Sequence, residues 1–174
     1  MKEISNEVFY ADQSIVQVDQ KDIQFLKDKA LENKRQRSRL CTHHDTEDIL
    51  HEMLIIHTPN TYVRPHKHVN KSESFHVLEG TANVIIFDAD GHITKVVQMG
   101  DYLSGKTFYY RLSSCLYHTL IITSDIIVFH ETTNGPFNRD DTVFASWSPS
   151  DNKHEVAKYM ENLVLKSQQF LFDL

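Results

Sequence analysis

The spacing of apolar residues changes twice along this chain, and the changes mark three regions. Ser14-Ile15-Val16-Gln17-Val18 alternates at the two-residue period of a strand. Between residues 19 and 33 the period lengthens. Ile23, Leu26, Ala30 and Leu31 recur at helical spacing, with Phe25 off that face and Asp19 placed to cap the first turn. This predicts one amphipathic helix packed on something larger. From Lys34 to about His130, short apolar blocks alternate with polar residues and break at Thr58-Pro59-Asn60, Asp88-Ala89-Asp90-Gly91 and Thr123-Ser124-Asp125. About seven or eight strands are expected there, with residues 82–87 and 92–99 forming a hairpin that turns at Gly91. Ser148-Pro149-Ser150-Asp151 offers an N-cap serine, a proline at the first helical position and an acid three residues on. Val156, Tyr159, Met160, Leu163 and Val164 then form the apolar face of a final helix. Many short strands without intervening helices predict an all-β core, a single antiparallel β-barrel with a flanking helix at each end. The expected boundaries are 1–33 for an N-terminal strand and helix packing on the barrel, 34–147 for the barrel and 148–174 for the C-terminal helix, all in one structural domain.

Composition narrows the function. At 174 residues, 40% hydrophobic and 24% charged, the chain suits one folded domain with a sizeable core. The 18 basic residues against 24 acidic ones leave a net charge of -6, so no overall basic field draws it to nucleic acid. The opening residues lack the apolar stretch of a signal peptide, and no run approaches the roughly 18 apolar residues of a membrane span. A cytoplasmic protein without a membrane partner is expected. Cys41 and Cys115 are the two cysteines, without CxxC spacing, and are expected to be reduced structural thiols. Histidine, at 11, is unusually frequent, which raises the question of a metal.

Residues 62–80 carry the chemistry. In an extended strand, side chains two apart share a face, so Arg64, His66 and His68 point the same way and two imidazoles converge. After four intervening residues Glu73 begins the next strand and can bring a carboxylate to the same point, while Gly80 permits a sharp turn. Two histidines and a carboxylate suit a borderline divalent metal with coordination positions left open.

The arrangement of HxH, four residues, Glu, six residues and Gly resembles the first motif of the cupin superfamily, whose members hold a metal inside a small β-barrel of the RmlC-like jelly-roll type. That resemblance implies a fourth ligand, a histidine from a second motif about one hairpin later, and His118 is the residue so placed. Of the second motif only this histidine survives: Thr107, Ser113, Cys115 and Ile122 occupy its two glycine, proline and asparagine positions. Asn60 replaces the first motif's leading glycine and tolerates the same left-handed turn. His57, His76 and His130 compete for the fourth position. His76 follows Glu73 by three and so faces away from it in a strand, and the other two read as ordinary histidines at strand ends.

Within the cupins the chain resembles the WbuC-like metalloproteins found with genes for bacterial surface polysaccharide assembly. The likeness rests on residues 37–43 (Arg37-Ser38-Arg39-Leu40-Cys41-Thr42-His43), Tyr62 with Arg64-Pro65-His66-Lys67-His68, Lys71-Ser72-Glu73-Ser74-Phe75, His118-Thr119, Glu131 with Gly135-Pro136-Phe137, and residues 144–149. It implies a cupin fold, one divalent transition metal (Zn, Fe, Ni, Mn or Co) and a role in lipopolysaccharide or O-antigen metabolism, without supplying a reaction.

Arg35, Arg37, Arg39, Cys41 and His43 alternate, so a strand here puts three guanidiniums on one face. Such a row grips a phosphate or carboxylate, or it merely keeps a sheet edge soluble. Arg37, Arg39 and His43 are taken as substrate-binding candidates, together with Arg64 beside the metal histidines and Tyr62; Tyr102 is a further phenol, and Glu131 reads as structural. No catalytic residue is assigned. The leading reading is a metal-dependent enzyme acting on an anionic sugar or sugar nucleotide, expected as a homodimer. An iron-dependent dioxygenase and a non-catalytic metabolite-binding protein are the alternatives.

Overall fold

The run from Ala82 to Phe87 is apolar on both of its faces. Ala82, Val84 and Ile86 join one buried cluster, while Ile85 and Phe87 join another on the opposite side. A strand of this kind requires an apolar layer above and below it, and the computed structural model, which describes residues 1–150 and 152–173, supplies both. Its strands in chain order are β1 (Lys2–Glu3), β2 (Val8–Tyr10), β3 (Arg37–Cys41), β4 (Leu50–His57), β5 (His66–His68), β6 (Glu73–Glu79), β7 (Thr81–Phe87), β8 (Ile93–Gly100), β9 (Tyr109–Leu112), β10 (Tyr117–Ile122), β11 (Ile127–Asn134) and β12 (Thr142–Phe144). Helix α1 (Gln20–Glu32) precedes β3, and α2 (Lys153–Phe172) ends the chain.

The strands form two sheets, a seven-stranded one in the order β1-β2-β3-β4-β11-β6-β9 and a five-stranded one in the order β12-β5-β10-β7-β8. Every pairing is antiparallel except β2 with β3. Consecutive strands β6 and β7 lie in different sheets, joined at Gly80, whose φ of 82° only glycine adopts without strain. A Cβ there would lie 2.1 Å from the carbonyl oxygen of Ile126. The result is a double-sheet jelly-roll core with flanking helices.

Side-chain parity assigns each face its layer. Met53 and Ile55 of β4, Phe75 and Val77 of β6, Leu120 and Ile122 of β10, and Ile127 and Phe129 of β11 fill the space between the sheets. The alternate residues Leu40, Leu54, Ile56 and Val128 face outward and pack with Phe9 against Leu26 and Ala30 of α1. On the other side Ile85, Phe87 and Ile121 pack against Leu163 of α2. Burying each such aliphatic side chain contributes roughly 1.5–3 kcal/mol, so both sheets are clamped between a core and a helix.

Several expectations change in detail. Residues 14–18 form no strand, and Ile15 is 74% exposed; the N-terminal strands are β1 and β2, because Phe9 supplies the buried anchor that Ile15 does not. Asp19 caps α1 in a full capping box with Asp22, yet Leu31 lies exposed and Phe25 packs edge-on against Phe9 at 5.3 Å. Nine strands rather than seven or eight begin between residues 34 and 130, since β5 and β9 are too short to register as periods; β12 lies beyond that stretch. The final helix starts at Lys153 with Asn152 as its cap, not at Ser148; Asp151, the acid of the expected capping motif, lies outside the described residues. The left-handed asparagine is Asn70, between β5 and β6, rather than Asn60.

The two faces of α1 give a direct check. Leu26→Ala should cost about 2–5 kcal/mol of stability, whereas Leu31→Ala should change it by less than about 0.5 kcal/mol. Urea unfolding of both variants measures the contrast, and equal losses would contradict this packing.

Candidate metal centre

Strands β5 and β10 pair through a single register contact, His66 opposite His118. Both residues face the interior, because Leu120 and Ile122, in phase with His118, belong to the inter-sheet core. Glu73 opens β6 in phase with Phe75 and Val77 and points into the same space from the other sheet. Asn70 turns the chain between β5 and β6, so the pair of histidines and the carboxylate come from one strand-turn-strand segment while His118 arrives from a third strand.

His66, His68, Glu73 and His118 each bring a ligand atom within 4.8 Å of the other three. Glu73 and His118 are almost fully buried, at 4% and 3% exposure, and His66 and His68 are half-buried. Glu73 Oε2 lies 3.2 Å from His68 Nε2, and Glu73 Oε1 lies 2.9 Å from His118 Nε2. The latter two atoms nevertheless have no partner in hydrogen-bonding geometry. Buried polar atoms left this way cost free energy, and a cation between them would satisfy both.

The outward nitrogens support that fit. His66 Nδ1 lies 2.8 Å from the Arg64 carbonyl oxygen and His118 Nδ1 lies 3.0 Å from that of Leu116, so each Nδ1–H donates to a carbonyl and each Nε2 lone pair is left facing inward. His68 Nδ1 lies 3.3 Å from Thr142 Oγ1. Burial and the neighbouring His118 push the His66 imidazole down to about 4, which keeps it neutral as a metal ligand must be. Burial alone would raise Glu73, but His118 and His68 more than offset it and hold the carboxyl below its ordinary range. Three imidazoles and one carboxylate match the preferences of Zn, Fe, Ni, Mn or Co. A second group, Asp88, Asp90 and His92, is a hairpin turn in which Asp88 accepts from the backbone amides of Asp90 and His92.

The other residues singled out by sequence fall in three places. Arg64 donates to the carbonyl oxygens of Ala145 and Ser148 and to Ser148 Oγ, and Tyr62 donates to the Pro149 carbonyl oxygen, so both tie β5 to the segment leading into α2. Arg35 and Arg37 pair with Glu7. Arg39 has no carboxylate within 4 Å among the described residues, and it shares its strand face with Cys41 of the inter-sheet core. His43 is buried, its ring stacked on that of His51 at 4.1 Å. His57 is enclosed against Phe129, His76 faces outward, and His130 lies mid-strand with Nε2 3.6 Å from Glu52; none of the three joins the cluster. Tyr102 is exposed on a short turn, and Cys115 is exposed rather than structural.

Two residues gain weight from the fold. Phe75 is bracketed in register by Tyr110 on β9 and Glu131 on β11, so both face inward one step deeper than Glu73. The Tyr110 hydroxyl is buried without a hydrogen-bond partner. Burial, then the charge of Glu73, push the Glu131 carboxyl up to about 8. Strand alternation could have placed Glu131 on the face of Ile127 and Phe129, but nothing in the sequence pairs β9 with β6.

Residues 18–99, a little under half of the chain, match a family described as a domain of unknown function, DUF6016. No curated protein matches. Among solved structures, a protein from Shewanella oneidensis is 13% identical with a TM-score of 0.47, the match covering 59% of this chain and 66% of that one. A variant of oxalate decarboxylase from Bacillus subtilis is 20% identical with a TM-score of 0.45, the match covering 56% of this chain and 24% of that one. The chain thus spans just under two thirds of the first and about a quarter of the second.

His57, outside the centre, makes a titration prediction. Burial, then the charges of Arg39 and Arg35, push its imidazole down to about 3. Above roughly pH 6.5 both folded and unfolded forms are neutral; as pH falls toward 3 the unfolded chain takes the proton and folding loses up to about 1.4 kcal/mol per pH unit from this group. His57→Leu should therefore flatten the loss of stability of the metal-free protein between about pH 6 and pH 4, measured by urea unfolding. An unchanged slope would contradict the assignment.

Proposed function

We propose that this chain is a metal-dependent enzyme acting on a small anionic molecule, a sugar or sugar nucleotide of bacterial lipopolysaccharide or O-antigen assembly. The observation that carries the metal is the buried convergence of three imidazoles on Glu73 with Glu73 Oε1 and His118 Nε2 left unpartnered. The anionic substrate is supported by Arg39, an exposed residue with no carboxylate within 4 Å among the described residues, paired in register with Ile55 of the inter-sheet core. The polysaccharide setting is supported by the WbuC-like sequence segments alone, and the same reading makes the protein a cytoplasmic homodimer.

A divalent cation, when bound, supplies a Lewis acid for a carbonyl or hydroxyl oxygen. The chain's own residues do the rest. His66, His68, Glu73 and His118 hold the cation, and Arg39 orients the anionic group by paired hydrogen bonds. Glu131, protonated at neutral pH in the metal-free chain, carries a proton beside the centre, with the Tyr110 hydroxyl across Phe75 from it.

Elemental analysis of protein purified without an affinity tag should find about one transition metal per chain, and little in His66→Ala or His118→Ala. With a substrate found in a panel of sugar nucleotides, Glu131→Gln should lower turnover by about 100-fold or more at unchanged metal content. Absence of metal even after reloading would overturn the reading; metal-loaded protein that neither binds nor alters any panel member would overturn its substrate half.

A further inference from the structure

The three histidines are oriented in two different ways. His66 and His118 each donate to a carbonyl two residues earlier in the same segment, at 2.8 and 3.0 Å, so their orientation is fixed wherever those strands form. His68 has no such local partner. Its Nδ1 meets the hydroxyl of Thr142, 74 residues further along, on β12.

Strand β12 is a poor anchor on its own. It has three residues, lies at the edge of the five-stranded sheet with β5 as its neighbour, and exposes Val143 and Phe144. What holds it is a set of ties to the flanks of the HxH strand. The Val69 amide donates to the Asp141 carbonyl oxygen at 2.8 Å, and the Ala145 amide donates to that of Pro65 at 2.9 Å. Arg64 adds its bonds to Ala145 and Ser148, and its guanidinium lies 5.0 Å from the Phe144 ring centroid. These ties end on the segment that carries His66 and His68, while Trp147 anchors the far end by donating to the Ala89 carbonyl oxygen and packing against Phe87 and Tyr117.

Given the metal reading above, we propose that Thr142 is a positioning residue for His68 and that residues 139–149 form a strap whose docking and metal occupancy stabilise each other. A cation fixes His68, which fixes its hydrogen bond to Thr142. The reverse holds by reciprocity: a docked strap presents His68 Nε2 in the correct orientation and tightens metal binding by the same factor.

Zinc(II) affinity, measured by competition with a chromophoric chelator, tests this on the full chain. Thr142→Val should weaken zinc binding by about 10–100-fold, while Thr142→Ser should bind within about threefold of wild type. Amide hydrogen exchange should show residues 139–145 protected on zinc addition in wild type and much less so in Thr142→Val. The thermal midpoint of each metal-free variant checks that it is folded, and the zinc dependence of strap exchange in wild type carries the test should the valine variant unfold. Wild type that fails to bind zinc, iron(II), nickel(II), manganese(II) and cobalt(II) alike removes the metal reading itself. Tight zinc binding that is equal in Thr142→Val, with strap exchange insensitive to zinc, overturns the coupling and leaves the metal centre standing.

Discussion

Taking a carboxylate out of water costs several kcal/mol unless charge and hydrogen bonds replace its hydration. Glu73 sits almost fully buried between two sheets, and what the chain offers it is imidazole nitrogens at 2.9 and 3.2 Å. Neutral imidazoles whose Nδ1 atoms already donate outward present lone pairs to the carboxylate, which is a repulsive arrangement. Either a proton or a metal cation must sit among these atoms. The three strands that bring them together, and the residues behind them, depend on that constraint.

The scaffold is stiff where the site needs it. β10 lies between β5 and β7, and β6 lies between β11 and β9, so the strands carrying the almost fully buried His118 and Glu73 are interior to their sheets. Apolar layers on both sides of each sheet fix their heights. β5 is different: it is short, sits next to the edge, and depends on β12 and the segment after it. The site therefore joins two rigid strands to one that is held from outside. That asymmetry explains why Arg64, one strand step from His66, spends its hydrogen bonds on the backbone at Ala145 and Ser148.

The sequence made part of this legible. Alternation of period two puts His66 and His68 on one face, the Glu73 and Gly80 offsets complete a recognisable segment, and the family resemblance adds His118; these four side chains are the ones the fold brings within 4.8 Å. The N-cap at Asp19 and the hairpin at Gly91 are equally local and equally readable. What escaped was set by pairing between distant segments. Nothing near Tyr110 announces that β9 lies beside β6, and nothing near Thr142 announces His68. Arg64 shows the limit of parity arguments: it lies just before β5 rather than in a strand, and its guanidinium bonds to a segment more than eighty residues away. Phe9 rather than Ile15 became the buried N-terminal residue because β2 adds parallel to β3, a choice made by the sheet and not by local pattern.

X-ray absorption at the metal edge tests the central claim most directly, because it reads the atoms around the cation and not merely its presence. The account predicts a nearest shell of nitrogen and oxygen donors at about 2.0–2.2 Å, with the outer scattering of three imidazole rings. A shell of oxygen donors alone, without imidazole scattering, would show that the cation binds elsewhere and that the buried Glu73 is balanced by a proton instead.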